Sequence, residues 1–198
     1  MSKILVMDIG GVLIFNDNHR LLKRLASRMS RPPSEERLLA AIRQSGIGTG
    51  VSTLRNLQDL LIRDFAWRGT EADLLSDWTC HFAPNVPMLE TLRPVASRQV
   101  IVLCSNTNRE HWLALRERYS LDSICTGAIL SFEVGVEKPH KKIYRHVKNL
   151  YPDKKSDAFL FVDDNVENVL SAANFGFSVH HYGDHDTFLT AFEHWASA

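Results

Sequence analysis

Ile4-Leu5-Val6-Met7-Asp8-Ile9-Gly10-Gly11-Val12 carries a short apolar run that ends at an aspartate. A second run of this kind, Phe159-Leu160-Phe161-Val162-Asp163-Asp164-Asn165, comes late in the chain. Both have the length and composition of buried strands, and the carboxyl ends of parallel strands meet at one edge of the sheet. The two stretches therefore predict an α/β fold with carboxylates at the edge where such folds place their chemistry.

After Pro84, helical and strand patterns alternate along the chain. The pattern predicts strands at 99–104, 128–131, 158–162 and 178–182, and helices at about 86–96, 109–119, 140–150, 165–175 and 186–196. Alternating strands and helices indicate a parallel, Rossmann-like sheet with helices on both faces.

Residues 19 to about 83 have helical periodicity and no convincing strand pattern. Apolar residues at helical spacing predict a first helix that ends before Pro32, and Ser34 starts the second. Two more are predicted at 52–66 and from Thr70 to about His81. We therefore expect residues 16–83 to be a helical insert, and residues 1–15 together with 84–198 to form the α/β core.

Composition limits the class of protein and of partner. The 198 residues suffice for one domain, or for one domain with an insert. A formal net charge of zero gives no support for a nucleic-acid or membrane partner, and no apolar run approaches membrane-spanning length. Three scattered cysteines are typical of reduced thiols in a cytoplasmic protein. The sequence leaves the oligomeric state open.

Two polar segments between the aspartates can each be explained by a role in catalysis or by a structural role. Ser105-Asn106-Thr107 follows the predicted strand 99–104, and its hydroxyl and N–H groups can bind an anion or simply form a loop. Lys138 precedes Pro139, and it can neutralise crowded oxygens or lie on the surface. By itself, Asp8 fits a turn-capping residue as well as a nucleophile or metal ligand.

The Asp163-Asp164 pair is more specific. Two adjacent carboxylates after a buried strand repel each other unless a cation lies nearby. A divalent metal with oxygen ligands is the natural partner, and we expect Mg²⁺. Carboxylates, a hydroxyl with amides, and one lysine are the groups that metal-assisted phosphoryl transfer requires.

These segments, in this order, resemble the four motifs of the haloacid dehalogenase-like (HAD) hydrolase superfamily. They are Asp8-Ile9-Gly10-Gly11-Val12, Ser105-Asn106-Thr107-Asn108, Lys138-Pro139 and Val162-Asp163-Asp164-Asn165. The resemblance implies that the helical insert is a C1-type cap. The second and fourth segments are similar to those of a subgroup of small sugar-phosphate phosphatases, which implies a small phosphorylated substrate.

The resemblance also implies a role for each residue. Asp8 would attack phosphorus and form an aspartyl-phosphate, while Lys138 would offset the charge between Asp8 and the phosphate. Mg²⁺ would be held by Asp8, the Gly10 carbonyl and Asp164, with Asp163 in support. The substrate phosphoryl oxygens would be bound by residues of the second motif: Ser105, Asn106 and Thr107.

Gly10 departs from the family pattern. The phosphatases of the family usually have a second aspartate at this position, which acts as general acid and base. Losing a general acid typically costs ~10²–10⁴ in rate. The sequence is compatible with substrates that have better leaving groups, with a proton donor elsewhere, such as Asp17 or a residue of the cap, or with loss of catalysis.

Three hypotheses follow from the sequence. The first is a Mg²⁺-dependent phosphatase that acts on a small phosphorylated metabolite, with sugar phosphates as first candidates. The second is a metal-independent 2-haloacid dehalogenase, which also works without the second aspartate. The third is a catalytically weak or silent binding or regulatory protein with the same fold.

Overall fold

A central parallel sheet organises the chain. The computed structural model describes residues 3–197. Five strands form this sheet in the order β5-β4-β1-β6-β7, and a separate antiparallel pair joins β2 to β3. The strands are β1 Ile4–Met7, β2 Ile14–Asn16, β3 Phe82–Pro84, β4 Val100–Ser105, β5 Gly127–Leu130, β6 Phe159–Asp163 and β7 Ser178–His181.

The helices occur in two groups along the chain. The first four follow β2, and the other six alternate with the strands of the central sheet. They are α1 Asn18–Ala26, α2 Glu35–Gln44, α3 Leu54–Phe65, α4 Glu71–Trp78, α5 Val86–Val95, α6 Arg109–Tyr119, α7 Ser131–Val134, α8 Lys141–Asn149, α9 Val166–Phe175 and α10 His185–Ser197. This order confirms the predicted α/β, Rossmann-like fold, with element ends that differ from the predicted ones by a few residues.

The central strands are buried on both faces. Leu5 and Met7 of β1 point into one apolar cluster with α5, α6 and α10, whereas Ile4 and Val6 point into another with α8 and α9. Because successive side chains of a strand point to opposite faces, the short run 4–7 contributes to both clusters. Two covered faces explain why the strands are continuously apolar rather than alternating.

Helices α1–α4 share a third apolar cluster. It contains Leu25, Leu57, Trp67 and Trp78, and its buried members all lie between residues 21 and 78. The helices begin at capping residues that the sequence supplies: Thr53 and Thr70 both form reciprocal capping boxes with the residue three positions on. The helical segment thus has apolar packing of its own.

The prediction that no strand occurs between residues 19 and 83 is wrong at its C-terminal end. β3 begins at Phe82 and pairs with β2, with Phe15 opposite Ala83, and α4 ends at Trp78 rather than near His81. Three-residue strands are too short to show a period, so their pairing depends on contacts distant in sequence. Both predicted domain boundaries fall within this small ladder.

Within residues 3–197, the structure has no helix that is both long and apolar enough to cross a membrane.

The packing of the helical cluster can be tested by truncating one of its side chains. Leu57 is fully buried, so we expect Leu57→Ala to lower the free energy of unfolding by about 2–5 kcal/mol. Ile62 lies on the same helix and is 47% exposed, and Ile62→Ala should change it by less than about 1 kcal/mol. Urea denaturation followed by circular dichroism measures both; equal effects would contradict this packing.

Candidate active site

Polar residues at the ends of three adjacent strands lie together at the carboxyl edge of the sheet. β1 lies between β4 and β6, with Met7 opposite both Leu103 and Val162. Asp8 directly follows β1, Ser105 ends β4 and Asp163 ends β6. All three side chains are buried or nearly so, because helices cover both faces of the sheet and the helical segment follows at this edge.

Lys138 lies between two of these carboxylates. Its Nζ is 2.7 Å from Asp8 Oδ2 and 2.6 Å from Asp163 Oδ2. The lysine side chain is 1% exposed, so the three charges are almost removed from water. A cation between two buried carboxylates compensates the desolvation of each and holds the ends of β1 and β6 at a fixed separation.

The electrostatics of the cluster favour a further cation. Burial raises the pKa of Asp8 to about 7, although the charge of Lys138 acts in the opposite direction. Burial alone lowers the pKa of Lys138, but Asp8 and Asp163 outweigh it, so this pKa is raised and the ammonium stays charged. Burial, and then the charge of Asp163, raise the pKa of Asp164. Three carboxylates against one ammonium leave a net negative charge.

The oxygen atoms of the three aspartates are placed suitably for a metal. Asp8, Asp163 and Asp164 each offer an oxygen within 4.8 Å of the others. Among residues 3–197, no other group of three possible metal ligands from Asp, Glu, His or Cys lies this close together. Carboxylate oxygens are hard donors of the kind that Mg²⁺ and Ca²⁺ prefer. The residues therefore fit the predicted magnesium ion.

Asn168 orients Asp163 and was missed by sequence analysis. Its Nδ2 donates to both carboxylate oxygens of Asp163, at 3.0 and 3.1 Å, and the Asn165 backbone N–H donates to Oδ1 at 2.9 Å. Asn168 is buried on the first turns of α9. Helical spacing could have identified it: Asn168 lies four residues before the buried Ala172, so both side chains are on the inner face of the helix.

Asn106 supports the lysine with its side chain. Its Oδ1 accepts from the Lys138 backbone N–H at 2.7 Å, and its Nδ2 donates to the Lys138 carbonyl at 2.9 Å. The side chain is therefore occupied with the Lys138 backbone. The backbone N–H of Asn106 and the second hydrogen of Nδ2 remain available to an anion.

Ser131 connects the second motif to the helical segment and was also missed. Its hydroxyl accepts from the Thr107 backbone N–H at 2.9 Å and donates to the Gly48 carbonyl at 2.6 Å. Ser131 is fully buried at the start of α7. Thr107 thus lies where the sheet edge meets the helical segment, and its backbone N–H is already bonded.

The two glycines after Asp8 each have a close neighbour. A Cβ on Gly10 would lie 2.6 Å from Asn16 Nδ2, so the Asn16 side chain occupies the space beside this position. Gly11 has φ of 71°, and a Cβ there would overlap the Asp164 carboxylate. Gly11 therefore permits both the sharp turn after β1 and the position of Asp164.

Gly11→Ala tests whether this close approach positions a metal ligand. We expect the added methyl group to displace Asp164 and to weaken Mg²⁺ binding at least about tenfold, measured by isothermal titration calorimetry. The matched control is Gly135→Ala, because Gly135 has φ of 68° and a Cβ there meets no atom within 4 Å. Both variants should lose about 1–2 kcal/mol of stability from backbone strain. Equal Mg²⁺ affinities in the two would refute the positioning role.

Comparison with known proteins identifies the family and agrees with the fold. The family model for haloacid dehalogenase-like hydrolases matches residues 3–176. A HAD family enzyme from Bacteroides thetaiotaomicron, crystallised with magnesium and inorganic phosphate, is similar with a TM-score of 0.84 at 22% identity, over 96% of this chain and 99% of that one. A predicted HAD-like hydrolase from Porphyromonas gingivalis has a TM-score of 0.82 at 20% identity, over 100% and 99%.

A dehalogenase is also similar in structure. The L-2-haloacid dehalogenase from Xanthobacter autotrophicus has a TM-score of 0.64 at 19% identity, over 100% of this chain and 84% of that one. At these identities the structural likeness establishes the fold, while substrate and reaction have to be argued from the residues.

Proposed function

This chain belongs to the haloacid dehalogenase-like hydrolase family, and we propose that it is a Mg²⁺-dependent phosphatase acting on a small phosphate monoester. The observation that carries the proposal is the buried cluster of Asp8, Lys138 and Asp163, with Asp164 alongside. A buried carboxylate with a lysine and a metal-binding group suits attack on an anionic phosphoryl group. The complex of the Bacteroides enzyme with magnesium and phosphate supports the same chemistry.

Asp8 is the proposed nucleophile. The Ile9 backbone N–H donates to Asp8 Oδ1 at 2.6 Å, and Lys138 contacts Oδ2, so the carboxylate is held in one orientation. One of its oxygens forms a bond to phosphorus while the bond from phosphorus to the ester oxygen breaks. Water then hydrolyses the aspartyl-phosphate, which releases inorganic phosphate and restores the Asp8 carboxylate.

The other residues screen and orient the phosphoryl group. When bound by Asp8, Asp164 and the Gly10 carbonyl, with Asp163 in support, Mg²⁺ would offset the phosphoryl charge and orient its oxygens. The Ser105 hydroxyl and the Asn106 backbone N–H would hold the remaining oxygens, next to Thr107. Lys138, kept charged by its two carboxylates, would neutralise repulsion between Asp8 and the phosphate.

The leaving group receives no proton from position 10. Gly10 has no side chain, and the amide of Asn16 beside it is no acid. Asp17 accepts a hydrogen bond from the Arg20 backbone N–H at 2.8 Å and caps α1, so its carboxylate already has a structural partner. The arrangement therefore favours phosphate esters whose leaving group departs without a strong general acid.

Asp8→Asn tests the nucleophile. We expect phosphate release from acetyl phosphate with Mg²⁺ to fall by at least about 10³-fold, while the melting temperature shows that the fold is retained. Asp186→Asn is the matched control, since the Asp186 side chain is 100% exposed, and it should behave like the wild type. Substantial activity in Asp8→Asn would exclude Asp8 as nucleophile.

Metal dependence and halide release separate the phosphatase from the dehalogenase. The missing acid at Gly10 and the similarity to a dehalogenase favour haloacid dehalogenation as the second candidate. The phosphatase should release phosphate with Mg²⁺ and lose this activity in EDTA. Release of chloride from 2-chloropropionate in EDTA would support the dehalogenase, and Mg²⁺ binding without any turnover would support a silent binding protein.

Cysteine content and net charge bear on where in the cell the protein acts. The cysteines are free thiols, and a formal net charge of zero suits a small-molecule substrate rather than a nucleic acid or membrane partner. We infer a cytoplasmic protein. Fluorescence of a tagged chain in intact cells measures this directly.

A further inference from the structure

A cavity of about 200 Å³ lies between the helical segment and the carboxyl edge of the sheet. Six of the residues that line it are apolar side chains of the helical segment. These are Leu21, Leu22, Leu39, Ile42, Ile47 and Trp78. On the sheet side the cavity is lined by Asn106 and Thr107, and Glu137 immediately precedes Lys138. The cavity therefore adjoins the segments proposed to hold the phosphoryl group, where the rest of a substrate would lie.

Polar side chains in the inner wall already have partners. Asn108 Oδ1 accepts from Trp78 Nε1 at 3.1 Å and from the His111 backbone N–H at 3.0 Å. The Asn108 Nδ2 and His111 Nδ1 are 3.0 Å apart, and His111 Nε2 is 2.9 Å from the Trp78 carbonyl. Burial lowers the pKa of His111 to about 3, so the ring is neutral, donates from Nε2 and accepts at Nδ1.

The other polar side chains that line the cavity lie on exposed residues, apart from Thr107, whose hydroxyl donates to the Asn108 carbonyl at 3.4 Å. Asn18, Arg43 and Glu137 are exposed, as is Asn106, whose amide also bonds to the Lys138 backbone. A sugar ring placed inside would exchange the water on its several hydroxyls for aliphatic side chains. Hydroxyls buried without partners are costly, so the inner cavity disfavours a polyhydroxylated leaving group.

We infer that the substrate is an aryl phosphate, a phosphate monoester of a compact phenol whose ring occupies this cavity. The inference rests on the proposed phosphatase function and names its substrate class. A cavity of about 150 Å³ lined by aliphatic and aromatic side chains is enough to bind benzene, so the present one has room for a single ring. Arg43 and Glu137 at the exposed side suit one polar substituent on that ring.

The absence of an acid at Gly10 supports the same substrate class independently. Attack of the Asp8 carboxylate on phosphorus forms the aspartyl-phosphate and expels the phenol oxygen with the bonding electrons. A phenolate has a conjugate acid with a pKa of about 10, far lower than that of an aliphatic alcohol, so it leaves without prior protonation. Water takes part in the second step, and the phenolate gains its proton from solvent.

The inference can be tested by measuring the KM of the wild-type protein with Mg²⁺ for three substrates: phenyl phosphate, glucose 1-phosphate and acetyl phosphate. Acetyl phosphate also has an activated leaving group but no ring, so it separates the cavity from leaving-group chemistry. We expect the KM for phenyl phosphate to be at least about tenfold below that for either other probe. A KM for glucose 1-phosphate at or below that of phenyl phosphate would overturn the inference while leaving the phosphatase intact. Failure to hydrolyse all three would remove the proposed function and this inference with it.

A matched pair of variants localises the effect. Leu39 and Leu60 are both partly buried against the same helical cluster, but Leu39 lines the cavity and Leu60 does not. Leu39→Asn should raise the KM for phenyl phosphate about tenfold and leave that for acetyl phosphate unchanged. Leu60→Asn should leave both unchanged. Equal effects of Leu39→Asn on the two substrates, or equal effects of the two variants on phenyl phosphate, would contradict binding in this cavity.

Discussion

The ion pairs of Lys138 with Asp8 and Asp163 are the constraint on which the rest of the site depends. Three charged groups with almost no contact with water are tolerated only while each has an opposite charge within hydrogen-bonding distance. Lys138 comes from the segment before α8, and the two carboxylates come from the ends of adjacent strands. The pairs therefore fix three segments that are distant in sequence to a common point.

The surrounding hydrogen bonds restrict the position of these charges further. Asn106 holds the backbone of Lys138, and Asn168 holds both oxygens of Asp163. The ammonium and its partner carboxylate thus cannot rotate independently, whereas Asp164 is exposed and rests against Gly11. Such fixed charges need little reorganisation when a phosphoryl group arrives, which is the main source of electrostatic stabilisation in transfer reactions.

The sequence alone was sufficient wherever the signal was local. Apolar runs that stop at Asp8 and Asp163 placed the strands and their carboxylates, because burial on both faces of a parallel sheet requires continuous apolar residues. The adjacent charges of Asp163 and Asp164 predicted a metal from their repulsion alone. Helix starts at Ser34 and Thr70 were readable because a side-chain oxygen caps the first turn.

Features that depend on distant contacts could not be predicted. The pairing of Phe15 with Ala83 joins residues more than sixty positions apart, and three-residue strands have no detectable period. The same holds for Ser131, whose hydroxyl links Thr107 to Gly48, and for Asn106, whose type suggests anion binding but whose amide is turned to the lysine backbone. Residue type indicates which bonds a side chain can make, and the fold decides which of them it makes.

The wall of the cavity shows how that distinction bears on specificity. Asn108, His111 and Trp78 are residue types that would suggest recognition of a polar ligand, yet their polar atoms bond to one another across the junction of α4 and α6. A group with its hydrogen bonds already made contributes shape rather than polarity to a cavity, because a ligand hydroxyl would have to break an existing bond to reach it. The network that holds the helical segment to the sheet therefore also removes these polar atoms from the cavity wall, so that docking of this segment and the proposed selection of an apolar leaving group follow from the same contacts.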